Sequence, residues 1–228
     1  MRRDIVTSLI AIAVLTVLLG VLYPLTVTGV SQLAFPGNAN GQEVHVNGKL
    51  VGSKIIGQSF ARPVLDKNGR PREEGGEPVT EPDPSYFQSR PSATEGGAYN
   101  AAASTFSNRG PNDKATEEED AANIKAYLEL ERPYDSGLTA AQIPVDAVNT
   151  SGSNLDPEIS QANAWIQAHR IAAKRGLSLG AVDGLIAKYT DSRGLGFSGE
   201  PGVNVLELNL ALDRGGHRGR SPGSGGTR

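Results

Sequence analysis

A loop of small hydroxylated residues, Asn149-Thr150-Ser151-Gly152-Ser153-Asn154-Leu155-Asp156-Pro157, is the stretch of this 228-residue chain best equipped for chemistry. Ser151, Gly152 and Ser153 can turn backbone N–H groups and hydroxyls towards an anion where a helix begins. Asn154 and Ser153 can instead satisfy local backbone donors as a capped turn, with Asp156 at the cap repelling an anion. Gln167 and Arg170 follow, one helical turn apart, able either to reach one partner together or to serve as plain helix formers. The three histidines, His45, His169 and His217, show no ligand spacing such as i, i+4, so no metal site is expected. Glu117, Glu118, Glu119 and Asp120 are contiguous and would fan out around a helix, which suits a helix N-terminus better than a cation cage.

Several chemistries are excluded outright. The chain has no cysteine, so thiolate catalysis, thiolate metal sites and disulfides are absent. The Gly-Lys pair Gly48-Lys49 has Glu43, not glycine, five residues before it, so there is no phosphate-binding P-loop. Neither a G-x-S-x-G elbow nor an S-x-x-K pair occurs. A net charge of −3 with 5% aromatic residues argues against a nucleic-acid partner. No catalytic residue is expected. An envelope enzyme remains the alternative, and it would need an acid/base pair drawn from Asp146, Asp156, Asp191 or Glu200.

The elements that position these residues can be read in outline. Asp156 as cap, Pro157 at the first turn and Gly176 as left-handed stop predict a helix, with Ile159, Ala162, Ile166, His169 or Arg170, and Ala173 as its core stripe. Ser178 caps a second helix from Leu179 to Thr190, and Thr116 caps another that runs to Pro133. The alternation of Leu206, Leu208, Leu210 and Leu212 predicts a strand over Val203–Leu212. Asn47-Gly48 predicts a hairpin with strands at 43–46 and 49–56. Residues 62–85 lack periodicity and read as a solvated loop, and 214–228 as a disordered tail.

All of this hangs from an uncharged N-terminal run. Ile5–Leu25 is long enough to cross a bilayer as a helix, continuing through Pro24 towards Leu33. It exceeds a signal-peptide core, and the mature chain is expected to keep it. Arg2 and Arg3 precede it and the next basic residue is Lys49, so the positive-inside rule puts residues 1–4 in the cytoplasm. The expected architecture is α+β: a single transmembrane helix over 5–30, then a small, loop-rich extracytoplasmic α/β domain over 31–213.

An ordered set of motifs runs along the chain: Gly52-Ser53, Ile56-Gly57-Gln58 and Phe60; Tyr86-Phe87 with Arg90-Pro91-Ser92-Ala93; Tyr99-Asn100; and Ser107-Asn108 with Gly110-Pro111. Further on come Ser151-Gly152-Ser153, Leu155-Asp156-Pro157, Gln167 with Arg170, Arg175-Gly176-Leu177, and Leu195-Gly196-Phe197 with Gly199-Glu200-Pro201. Read together, they resemble the KdpC family, the C subunits of the bacterial high-affinity potassium-transporting ATPase. Residues 62–85 look like an insertion relative to that pattern. Asn154 stands where the family usually has Gly, Glu158 where it has His, and Gly202 where Arg is frequent.

The resemblance implies a non-catalytic, single-pass subunit of the cell membrane, partnered by a potassium-channel-like subunit and a P-type ATPase subunit. It implies stabilisation of the complex and the role of a catalytic chaperone that raises the ATP affinity of the pump. It implies no tightly bound cofactor, with ATP as the ligand. Gln167 would be the nucleotide contact, joined by Ser151, Gly152, Ser153 and Arg170. An extracytoplasmic domain cannot touch cytoplasmic ATP, so the direct and indirect versions of that role compete.

Overall fold

The uncharged run folds as α1, Arg2–Ala34, a helix of 33 residues, none of them buried in the protein. At about 1.5 Å per residue it exceeds the roughly 30 Å hydrocarbon core of a bilayer. A π turn at Leu18–Leu22 interrupts it just before Pro24, with the Tyr23 N–H bonded back to the Leu18 carbonyl. Proline has no N–H to give Gly20 and its ring crowds that carbonyl, and the wider turn relieves both.

The computed structural model describes residues 1–105, 108–110, 112–194 and 196–218; Ser107, Pro111, Leu195 and the tail from 219 lie outside them, as does the side chain of His217. Two compact units result, Met1–Ser53 and Lys54–Arg228. In the first, β1 (Glu43–Val46) pairs antiparallel with β2 (Lys49–Ser53). Asn47 and Gly48 have φ of 52° and 78°, the left-handed pair that a type I′ turn needs. The second strand ends at Ser53 rather than 56.

In the second unit, residues 62–85 correct the loop reading. They form nested antiparallel ladders, β3 (Ala61–Pro63) with β6 (Thr80–Pro82), and inside them β4 (Glu73–Glu74) with β5 (Glu77–Pro78). Burial does not hold them, because most of these side chains are exposed. Local polar contacts do: Arg62 pairs with Glu81 at 2.7 Å, and the Asp66 carboxylate accepts the Asn68 and Arg70 N–H groups. Periodicity reports burial, so it was silent about pairing in an exposed hairpin.

The helix α2 spans Lys114–Glu131 and is capped by Asp113, which accepts the Ala115 N–H, not by Thr116. The helix expected from Asp156 starts later. Asp156 caps only a local turn onto the Glu158 N–H at 3.0 Å. Residues Glu158–Ser160 then form β7, and Ser160 caps α3, Gln161–Arg175. Gly176 ends α3 at φ 65° as expected, and Ser178 caps α4, Leu179–Lys188.

The strand expected at Val203–Leu212 is also corrected. Only Gly202–Asn204 is extended (β9), between β7 and β8 (Thr190–Asp191) in a three-stranded antiparallel sheet. From Val205 to Arg218 the chain is helix α5. Its leucines satisfy both periods, but Val205, Leu208, Asn209 and Leu212 are buried at helical spacing. Asn204 starts it, its side chain accepting the Glu207 N–H at 3.1 Å. The core gathers Phe87, Ile159, Ile171, Val182, Ile186, Val203 and Leu208 between α3, α4, α5 and the sheet.

Gly57 marks the tightest backbone approach in this unit. A Cβ there would press into the Asp156 carbonyl and the Tyr99 ring. Gly57→Ala is expected to cost about 1–3 kcal/mol, because backbone on one side cannot yield. Thermal unfolding of the purified chain checks this, and an unchanged midpoint would contradict the packing described.

Candidate functional site

Gln167 and Arg170 do meet one partner together, and it is the protein's own backbone. Pro84 to Gln88 leaves a turn, in which the Tyr86 N–H donates to the Asp83 carbonyl, and belongs to no sheet. Side chains supply the ladder it lacks. Arg170 Nη1 donates to the Pro84 and Tyr86 carbonyls at 2.7 and 2.9 Å. Asn209 brackets Phe87, accepting its N–H at 2.9 Å and donating to its carbonyl at 3.0 Å. Gln167 does the same for Gln88, at 2.7 and 3.1 Å. Arg175 donates to the Ser85 carbonyl and lies over the Tyr86 ring at 4.5 Å.

Gln167 also accepts from Arg170 Nη2 at 2.8 Å and donates to Asn163 at 2.9 Å. Both its acceptor positions and both its N–H groups are therefore taken inside the fold, at 1% exposure. Arg170 is 0% exposed, and its Nε pairs with Glu131 of α2 at 2.9 Å. Burial pushes the Glu131 carboxyl up, opposed by Arg170, and its Oε2 has no hydrogen-bond partner among the described residues. Tyr127 completes the α2–α3 seam by donating to Asn163 at 2.9 Å. Burial raises the Tyr127 hydroxyl and keeps it a donor.

This corrects part of the core stripe assigned to α3. Ile159 and, of the pair His169 or Arg170, Arg170 are buried as expected, but Ala162 and Ala173 are exposed and Asn163 and Gln167 are buried. Ala164, Ala168, Ile171 and Ala172 bury the apolar part of the inward face, and hydrogen bonds bury the three polar residues beside them. Beside it lies a groove of about 250 Å³ bordered by Gln88, Tyr127, Leu130, Asn163 and Gln167. That is below the roughly 300–1,000 Å³ of ordinary ligand pockets.

The 151–153 loop is placed separately: among the described residues no hydrogen bond joins it to Gln167 or Arg170. Ser153 Oγ accepts the Leu155 N–H at 3.1 Å, the local capping arrangement. Arg90 holds the flanks, donating to Asp156 at 3.0 Å, Asn149 at 2.9 Å and the Thr150 carbonyl at 3.3 Å. Asn154 sits at φ 59°, where glycine or asparagine is favoured, and its side chain accepts the Ala93 N–H at 3.0 Å. Asparagine thus substitutes for glycine here and adds a tether.

The four carboxylates that an enzyme would need serve local structure. Asp146 accepts from the Ser160 N–H and Asn163, Asp156 pairs with Arg90, Glu200 pairs with Arg193 at 2.6 Å, and Asp191 lies in β8. Glu117–Asp120 lie on the first turns of α2, and no three acidic or histidine side chains among the described residues group as metal ligands.

Glu158 and Gly202, two departures from the resemblance, are neighbours: a Cβ on Gly202 would meet the Glu158 carboxylate. Burial and then the charges of Asp156 and Asp191 push the Glu158 carboxyl above its ordinary value of 4.5. The folded state therefore binds a proton more tightly than the unfolded chain does. Stability is lost as pH rises from the ordinary carboxyl range through the raised pKa. Glu158→Gln should flatten that slope and exceed the parent in stability at pH 7, by chemical denaturation across pH 4 to 7. An unaltered slope would assign the effect elsewhere.

The family model for the C chain of K+-transporting ATPase, KdpC, matches residues 5–214. A potassium-transporting ATPase KdpC subunit of Methylococcus capsulatus is 46% identical over 206 residues, covering 90% of this chain and 95% of the relative. One of Koribacter versatilis is 40% identical over 213 residues, with 93% and 95% coverage. One of Streptomyces coelicolor is 42% identical over 219 residues, with 92% of both chains covered.

Proposed function

Because the chain belongs to the KdpC family, the C subunits of potassium-transporting ATPases, we propose that it works as a non-catalytic assembly subunit. In this reading α1 anchors it with the N-terminus in the cytoplasm, and the second unit stands outside the cell. The soluble unit packs on the potassium-channel-like subunit and holds it together with the P-type ATPase subunit. A rise in the pump's ATP affinity then reaches the cytoplasmic domain through coupled conformations, without contact between this chain and nucleotide.

The observation that carries this reading is the state of Gln167. Its hydrogen-bonding capacity is taken by Gln88, Asn163 and Arg170, so ATP could engage it only by displacing them. A second reading is direct nucleotide contact through Gln167, Arg170 and the Ser151–Ser153 loop. The groove bordered by Gln167 favours it.

The test uses full-length, detergent-solubilised chain and the reconstituted pump. The assembly reading expects no saturable ATP binding by the chain alone, and a raised KM for ATP when it is omitted from the pump. Saturable binding by the chain alone, with a site that protects Gln167 from exchange, would establish direct contact instead.

A further inference from the structure

The helix α2 presents two faces of different character. Towards α3 it offers Tyr127 and Glu131, and Glu131 is the one fully buried residue among its eighteen. On another face Ala121, Ile124 and Leu128 recur at i, i+3, i+7 and floor an open groove of about 560 Å³. Lys125, Glu129 and Arg132 rim it. Anchors at this spacing are how one apolar segment lies along a helix.

The charge beside this seam identifies what covers it. At the N-terminal end stand Glu117, Glu118, Glu119 and Asp120, and among the described residues only Glu119 has an ion-pair partner, Arg109 at 2.8 Å. The helix carries six carboxylates against two lysines. Like charges at helical spacing repel one another, and only the first turn is favoured by the macrodipole. Two copies laid seam to seam would add a second acidic set to the first.

We propose that this seam seats a segment of another subunit of the same ATPase, apolar where it meets Ala121, Ile124 and Leu128, and basic where it meets the exposed Glu117 and Glu118. The proposal rests on the assembly role given above and names the surface that performs it. Apolar contact supplies most of the binding. The exposed carboxylates set orientation and encounter rate, and so make the contact salt-dependent.

The experiment uses the full chain co-expressed with the other pump subunits in native membranes. Leu128 is replaced by p-benzoylphenylalanine, and after irradiation the adduct is identified by mass. Separately, Glu117→Lys with Glu118→Lys is introduced at the exposed end, where neither side chain has an ion-pair partner among the described residues. An adduct to another pump subunit with Lys or Arg in the crosslinked peptide is expected. The charge reversal should speed dissociation at least about tenfold at low salt, with the difference shrinking in about 1 M salt. An adduct to a second copy of this chain, to lipid alone, or none at all from an assembled complex, overturns the seam and leaves the assembly role standing. Dissociation unchanged by the charge reversal overturns it too. Failure of the unmodified chain to co-purify with any pump subunit overturns both.

Discussion

Arg170→Met is expected to destabilise the second unit by about 3–5 kcal/mol, the typical cost of stranding one partner of a buried ion pair. The methionine fills much of the space, so the loss is electrostatic and local. Glu131 is left 1% exposed with no counter-charge. The Pro84 and Tyr86 carbonyls lose their donor as well. Burial already holds the Glu131 carboxyl above its ordinary value while Arg170 opposes the shift. Without Arg170 it rises further, so the folded variant binds a proton more tightly than the unfolded chain. The deficit should therefore widen as pH rises above the ordinary carboxyl range and narrow as pH falls. Adding Glu131→Leu should recover a large part of the loss at pH 7, leaving the cost of the two bare carbonyls. Denaturant titration of the parent and both variants at pH 5 and 8 decides it. A single variant within about 1 kcal/mol of the parent would show that the pair is not needed.

The same network explains what the sequence could and could not reveal. The anchor, the Asn47-Gly48 hairpin and the Ser178 cap were legible because each rests on a local rule: length, positive φ, or one side chain on one N–H. The inward face of α3 was not. Helical spacing pointed to Ala162, Ala173 and either His169 or Arg170, but it missed Asn163 and Gln167, and all three buried polar residues are held by partners distant in sequence, at 84–88, 131 and 146. No pattern within α3 encodes those. One signal was available: Glu131 continues the helical spacing of Ile124, Tyr127 and Leu128, and a carboxylate on such a stripe calls for a buried cation. Val203–Leu212 failed differently, because alternating leucines satisfy two periods. Asn204, a helix cap, was the residue that separated them. Of the candidate site residues, Gln167 and Arg170 hydrogen-bond to each other, while the Ser151–Ser153 loop stands apart from them beside residues tied to Arg90.

Topology separates the two accounts of ATP affinity, and its expected effect is all or none. The chain has no cysteine, so one introduced thiol reports alone. Lys67 is exposed in the 62–85 hairpins and takes no part in their polar contacts, so Lys67→Cys leaves the fold intact. Among the described residues α1 is the one helix long and apolar enough to cross a membrane. With Arg2 and Arg3 held inside, the chain crosses once and residue 67 faces out. A membrane-impermeant maleimide added to intact cells, after only the outer wall layers are opened, should label it as fully as it labels lysed cells. Gln167 follows on the same side, since no second crossing returns the chain before it. ATP affinity must then be set by conformations passed through the channel-like and ATPase subunits. Labelling only after lysis would place the soluble unit in the cytoplasm. The groove beside Gln167, with Tyr127 and Asn163 on its wall, would then become the first place to look for nucleotide.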